Sequence, residues 1–168
     1  MGVRREARER AVQFLYQHDL NAPAELDAEL DHFWNSHQRS ALDVFKPLGP
    51  APPVELPPPT AHEAAVRLFA DPLIRGALEH RAEADQIIQK VAQNWSLQRI
   101  AAVDRNILRL AIYEMFHRED IPPVVSINEA VDIAKKFSTE DSGKFVNGLL
   151  DRVKQDVLRP ARTGKIAG

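Results

Sequence analysis

The residues that invite a chemical reading lie in "KKFSTEDSGKFVNGLLD", residues 135–151. Gly143-Lys144 after a polar run has the outline of half a phosphate-binding loop. That motif reads G-x-x-x-x-G-K-[ST], between a strand and a helix. Here Ser138 stands where the first glycine belongs, and Phe145 replaces the hydroxyl residue that would hold magnesium. The preceding "INEAVDIAKKF" has helical spacing, so a nucleotide loop is excluded. The histidines fall at 18, 32, 37, 62, 80 and 117 with no H-E-x-x-H among them, and His32 and His37 lie on different helix faces. His18-Asp19 has the form of a phosphohydrolase dyad, but no histidine precedes it. Each histidine therefore reads as structural, with His18 at a helix end whose dipole suits its partial charge. There is no cysteine nucleophile and no G-x-S-x-G elbow. No catalytic residue, metal site or cofactor is expected.

Arginines and lysines offer a different chemistry. Arg4, Arg5, Arg8 and Arg10 crowd the start of the chain against Glu6 and Glu9. Such a run is as readily a solvated helix face as a binding surface. Arg5 and Arg8 share a helical side with Tyr16, and guanidinium plus aromatic planes are what single-stranded RNA recognition uses. Lys135, Lys136 and Lys144, flanked by Phe137 and Phe145, form a second basic cluster, although both phenylalanines also suit a core.

Helices must position these groups. "VRREARERAVQFLYQHDLN" repeats apolar residues at helical spacing through Val3, Ala7, Ala11, Phe14 and Leu15, and Asn21 with Pro23 ends it. "AELDAELDHFWNSHQ" is a second helix. Residues 46–60 hold seven prolines and read as a loop, an insertion or a linker. Helical spacing resumes at residue 61, with Pro72 and Gly76 expected to divide that stretch in two. Residues 96–120 follow as a further helical segment, and Ile121-Pro122-Pro123 stops it. Ser126–Glu129 has the form of a capping box, and Ser138–Asp141 is a second candidate cap. The tail at 161–168 is expected to be disordered. No stretch alternates with period two. The expectation is an all-α protein of six or seven helices, divided as an N-terminal part at 1–45, a proline-rich segment at 46–60 and a bundle at 61–160.

The chain has 168 residues, no cysteine and a net charge of −2. That length buries a sizeable core without disulfides. The lack of cysteine, of a secretory h-region and of an apolar run near the roughly 20 residues a span needs fits a cytoplasmic protein with no membrane segment. Global charge does not announce a nucleic-acid partner, so such a role rests on local patches.

Three segments, "RREARERAVQFLYQHDL", "VDRNILRLAIYE" and "DIPPVVSINEAVDIAKKFSTEDSGKFVNGLLD", resemble the signature segments of the NusB family. The resemblance spans the first helix and nearly all of residues 95–153, and the run from Ile127 to Asp151 is the most specific part. It implies an all-helical bundle of about seven helices in two small subdomains. It implies binding to boxA-type single-stranded RNA in ribosomal RNA leader transcripts, as a heterodimer with the ribosomal protein NusE. That pair joins the RNA polymerase antitermination complex. No enzymatic activity and no cofactor are implied. Carried over by motif, Arg4, Arg5, Arg8, Tyr16, Asp141, Ser142, Lys144 and Phe145 would lie at or near RNA. Asp104 would face the protein partner, with Arg105 beside it. Ser138 stands where the family has glycine and Ser126 where alanine is usual, and the proline-rich segment has no counterpart in the family core. Two other readings are a stand-alone module akin to the NusB-like domains of ribosomal RNA cytosine methyltransferases and a helical scaffold that binds only protein. An exposed partner surface can also pair with itself, which leaves a homodimer open.

Overall fold

A computed structural model describes residues 2–21, 25–43, 57–92 and 96–160. All regular structure among them is helical. The elements are α1 (Val3–Leu20), α2 (Leu26–Asp43), α3 (Ala61–Glu79), α4 (Arg81–Val91), α5 (Ala102–His117), α6 (Pro123–Phe137) and α7 (Glu140–Val153). A 3₁₀ turn (Leu97–Arg99) precedes α5, and a π-helical turn (Lys154–Leu158) extends α7. None of these helices is long and apolar enough to cross a membrane. Most of the proline-rich segment and the tail at 161–168 lie outside the described residues, as do the roles expected of them.

Helix α5 is the axis of the bundle and touches α1, α3, α4, α6 and α7. Its Ile107, Leu108, Ile112 and Met115 are almost fully buried, and burial of each such side chain contributes about 1.5–3 kcal/mol. Helix α1 lays Ala7, Ala11, Phe14 and Leu15 onto this core at three- and four-residue spacing. Phe14 meets Phe33 edge-to-face at 5.4 Å, which draws α2 onto α1. Helices α1 and α3 pack closely on each other, and one continuous core cluster includes residues from both sides of the proline-rich segment. The expected break at 46–60 therefore does not divide the packing.

Several boundaries differ from the sequence expectation. Helix α3 runs unbroken through Pro72 and Gly76. The amide that Pro72 lacks would have bonded the carbonyl of Leu68. Pro72 and Leu68 both face solvent, so water can serve that carbonyl. Gly76 is a packing residue, since a Cβ there would lie 2.0 Å from the Tyr113 ring of α5. The break falls at His80 instead. Residues 96–120 do not form one helix, because Ile100 is extended and buried and α5 begins only at Ala102. Ser126 is not a cap: it lies buried inside α6, which opens with Pro123 at its first position. Proline suits that position because its missing N–H needs no partner there. The cap of α7 is Thr139 rather than Ser138, and Thr139 Oγ1 accepts from the Ser142 amide at 3.0 Å.

Candidate nucleic-acid interface

The first turns of α1 carry the arginines, and the fold sends them in three directions. Arg4 is exposed and its guanidinium lies 5.2 Å from the centre of the Phe69 ring on α3. Arg8 and Arg118 approach the same ring at 5.5 and 5.7 Å. Arg5 crosses to α6, where it donates to Glu129 at 3.1 Å and to Asp132 at 2.8 Å. The hydrogen bond to Glu129, then its charge, raises the Arg5 pKa above the ordinary arginine value. Arg8 turns inward. It is buried and donates to Glu114 of α5 at 2.8 and 2.9 Å. Burial pushes the Glu114 carboxyl above the usual glutamate range, and the Arg8 hydrogen bonds and charge oppose that push only in part. Arg8 is therefore not presented to a ligand, which corrects the surface role the sequence suggested for it.

The register of α1 on α6 continues with Glu9, which accepts from Lys136 at 2.9 Å. Tyr16 follows two turns later on the same stripe of α1 and is 37% exposed.

The α6–α7 turn answers the question that Gly143-Lys144 raised. Gly143 is buried inside α7 and packs against the stem of Lys135, 2.7 Å from where a Cβ would stand. It serves helix packing rather than a phosphate cradle. Ser142 ties the turn to α5: its hydroxyl donates to Asp104 at 3.0 Å and meets the Ser138 hydroxyl at 2.8 Å. Asp141 lies exposed in the first turn of α7, where its charge suits the helix dipole. Lys144 is exposed, whereas Phe145 is half-buried against the core. Helices α6 and α7 and Arg5 frame an open polar groove of about 670 Å³, lined by Lys135, Lys144, Asn128 and Asn147 together with Glu129 and Asp132.

Of the two residues assigned to the protein partner, Asp104 is buried and Arg105 is half-buried in an ion pair. Burial raises the Asp104 pKa against the Ser142 hydrogen bond. Arg105 donates to Asp19 at 2.7 Å. Asp19 also receives Arg81 at 2.7 Å and Arg109 at 3.1 Å. Burial pushes Asp19 upward, but hydrogen bonds from Arg105 and Asn106 and the charges of Arg109 and Arg105 outweigh it and hold the carboxyl at about 2.

The groove thus gathers Arg5 and Lys144, with Ser142 bracing the nearby turn, while Arg4 faces α3 and Arg8, Phe145, Asp104 and Arg105 serve packing. Sequence reasoning missed Asn128 and Asn147. Each is one polar position among others on its helix, and only the pairing of α6 with α7 makes them neighbours.

Fold and site define an all-α bundle with a mixed-charge groove framed by its first and last two helices. The family model described as the NusB family matches residues 5–155, and the chain belongs to that family. It is 43% identical over 162 residues to the transcription antitermination protein NusB of Anaeromyxobacter dehalogenans strain 2CP-1, covering 96% of each chain. It is 44% identical over 153 residues to that of Geobacter sulfurreducens, covering 91% of this chain and 94% of the relative. Among solved structures, Thermotoga maritima NusB superposes with a TM-score of 0.66 at 35% identity, covering 91% of both chains. A structure of the antitermination factors NusB and NusE in complex with double-stranded RNA superposes with a TM-score of 0.64 at 27% identity, covering 92% of this chain and 98% of the other.

Proposed function

We propose that this protein is a transcription antitermination factor that binds boxA-type single-stranded RNA of ribosomal RNA leader transcripts. It acts as a heterodimer with NusE within the RNA polymerase antitermination complex, and without catalysis. The single observation that carries this reading is the groove between α6 and α7, where Arg5, Lys135 and Lys144 stand beside the side-chain amides of Asn128 and Asn147. Cations there would meet phosphates and the amides would meet base edges, while Tyr16 offers a face for stacking. Family membership supports it, and the structural likeness to a NusB that was solved with NusE and double-stranded RNA supports RNA binding and the pairing with NusE.

Arg5, Tyr16 and Lys144 are assigned direct contact with RNA, and exposed Arg4, over Phe69 of α3, a more distant contact outside the groove, with Asp141 near the RNA as a like charge to phosphate. Ser142 and Phe145 position the turn. Asp104 and Arg105 shape the α5 edge toward NusE from within, through Ser142 and Asp19. Filter binding of leader RNA at two salt concentrations tests the RNA half. Affinity should fall as salt rises and exceed that for a scrambled RNA of equal length. Equal affinity for both RNAs would remove boxA recognition, and no binding to either would remove the RNA assignment.

A further inference from the structure

The end of α5 and the α3–α4 junction carry a cluster that the RNA reading does not use. His80 occupies the junction itself, Glu83 follows in the first turn of α4, and His117 lies in the last turn of α5. Glu83 Oε2 stands between two ring nitrogens, 3.0 Å from His117 Nε2 and 3.4 Å from His80 Nδ1. One ligand atom from each residue lies within 4.8 Å of the others. Zinc bonds of about 2.0–2.2 Å to imidazole nitrogen and carboxylate oxygen give tetrahedral edges of roughly 3.3 Å. The two observed nitrogen–oxygen separations, 3.0 and 3.4 Å, lie near that edge, and the remaining edge is within 4.8 Å.

We propose that His80, Glu83 and His117 bind one divalent first-row transition-metal ion, zinc being the best fit, with water in the fourth position. Two imidazoles and one carboxylate suit zinc, whereas calcium and magnesium favour all-oxygen sites. His117 is exposed and the other two are half-buried, so the ion has an entry path and room for its water. Aromatic contacts flank the two imidazoles. Tyr113 stacks on His80 at 5.7 Å and on His117 at 5.8 Å, and Gly76 gives its ring room. The two histidine rings themselves stack at 3.8 Å with planes 20° apart. Ligation therefore turns one ring about χ2, which is a soft torsion. The ion would join the α3–α4 break to the end of α5, elements 34 residues apart at Glu83 and His117, so no spacing motif marks the site.

The test uses the full chain without an affinity tag, stripped with a chelator and titrated with zinc chloride and with cobalt chloride. Calorimetry should give one zinc ion per chain, and cobalt should show the visible bands of a four-coordinate site. His80→Ala, Glu83→Gln and His117→Ala should each weaken zinc binding about tenfold or more. His62→Ala should leave it unchanged. In the wild-type protein, zinc should shift the imidazole NMR signals of His80 and His117 and spare those of His18 and His62, a readout that needs no variant to fold. No saturable binding, or shifts confined to the other histidines, would overturn the proposal.

Discussion

The pairing of Arg8 with Glu114 makes the sharpest energetic prediction. Both side chains are almost fully buried, at 4% and 2% exposure. Arg8→Ala leaves a desolvated carboxylate without its partner, and such a loss costs about 3–5 kcal/mol. For a chain of this size each kcal/mol moves the melting temperature by roughly 2–4 °C, so the variant should melt on the order of 10 °C lower. The deficit should depend on pH. Burial already holds the Glu114 carboxyl above its ordinary value, and without Arg8 it rises further. A carboxyl whose folded pKa exceeds its unfolded pKa makes the folded state bind more protons between the two values. Stability therefore falls as pH rises from the unfolded pKa, near 4.3, through the raised folded value. The Arg8→Ala deficit should be smallest near the acid end of that window and full above it. Arg8→Met with Glu114→Leu should recover most of the loss, because apolar groups of similar volume replace a buried pair at little cost. Since Arg8 points inward, that double variant should keep the salt dependence of RNA binding. Urea unfolding of all variants across pH measures this. An Arg8→Ala loss below about 1 kcal/mol, flat with pH, is what an exposed pair gives and would refute the reasoning.

Further outcomes follow from other parts of the structure. Lys144→Ala should lower the slope of log affinity against log salt by about 0.7, the share of one phosphate contact on a single strand. Arg5→Ala should change the slope less, because Glu129 and Asp132 already offset its charge, and Glu129→Gln with Asp132→Asn should tighten RNA binding. Asp141→Asn keeps the shape of the turn, and it should melt slightly lower through loss of about 0.3–1 kcal/mol of dipole interaction while binding RNA more tightly. Asp19 has the opposite sign to Glu114. Its folded carboxyl sits at about 2, so the roughly 2 kcal/mol it contributes is fully present above pH ~4 and is lost as pH falls from there through about 2, a loss that acid titration of Asp19→Asn should lack.

Helices were legible where local rules suffice. The spacing of Ala7, Ala11, Phe14 and Leu15 placed α1 on the core, and Asn21 marked its end. Caps and breaks were less legible, because several residues in a row carry the same signal. Ser138 and Thr139 can both cap, and register decides for Thr139. Pro72 reads as a breaker, yet it and Leu68 lie on the exposed face of α3, where water can serve the unpaired carbonyl. The fate of the charges was the least legible. Arg4, Arg5 and Arg8 look alike in sequence, yet one stacks on Phe69, one bridges to α6 and one is buried on Glu114. Their partners lie up to 127 residues away, beyond any spacing rule. Motif resemblance did identify the family, because "INEAVDIAKKFSTEDSGKFVNGLLD" encodes two packed helices and their turn in one continuous run.

The most direct test of the proposed function is the affinity for boxA-type leader RNA with and without saturating NusE, by calorimetry at fixed salt. If both proteins engage one RNA, the coupling is reciprocal and worth about 1–3 kcal/mol. RNA affinity should rise several-fold with NusE, and NusE affinity should rise by the same factor with RNA. RNA affinity that stays constant as NusE is added would contradict the heterodimer account.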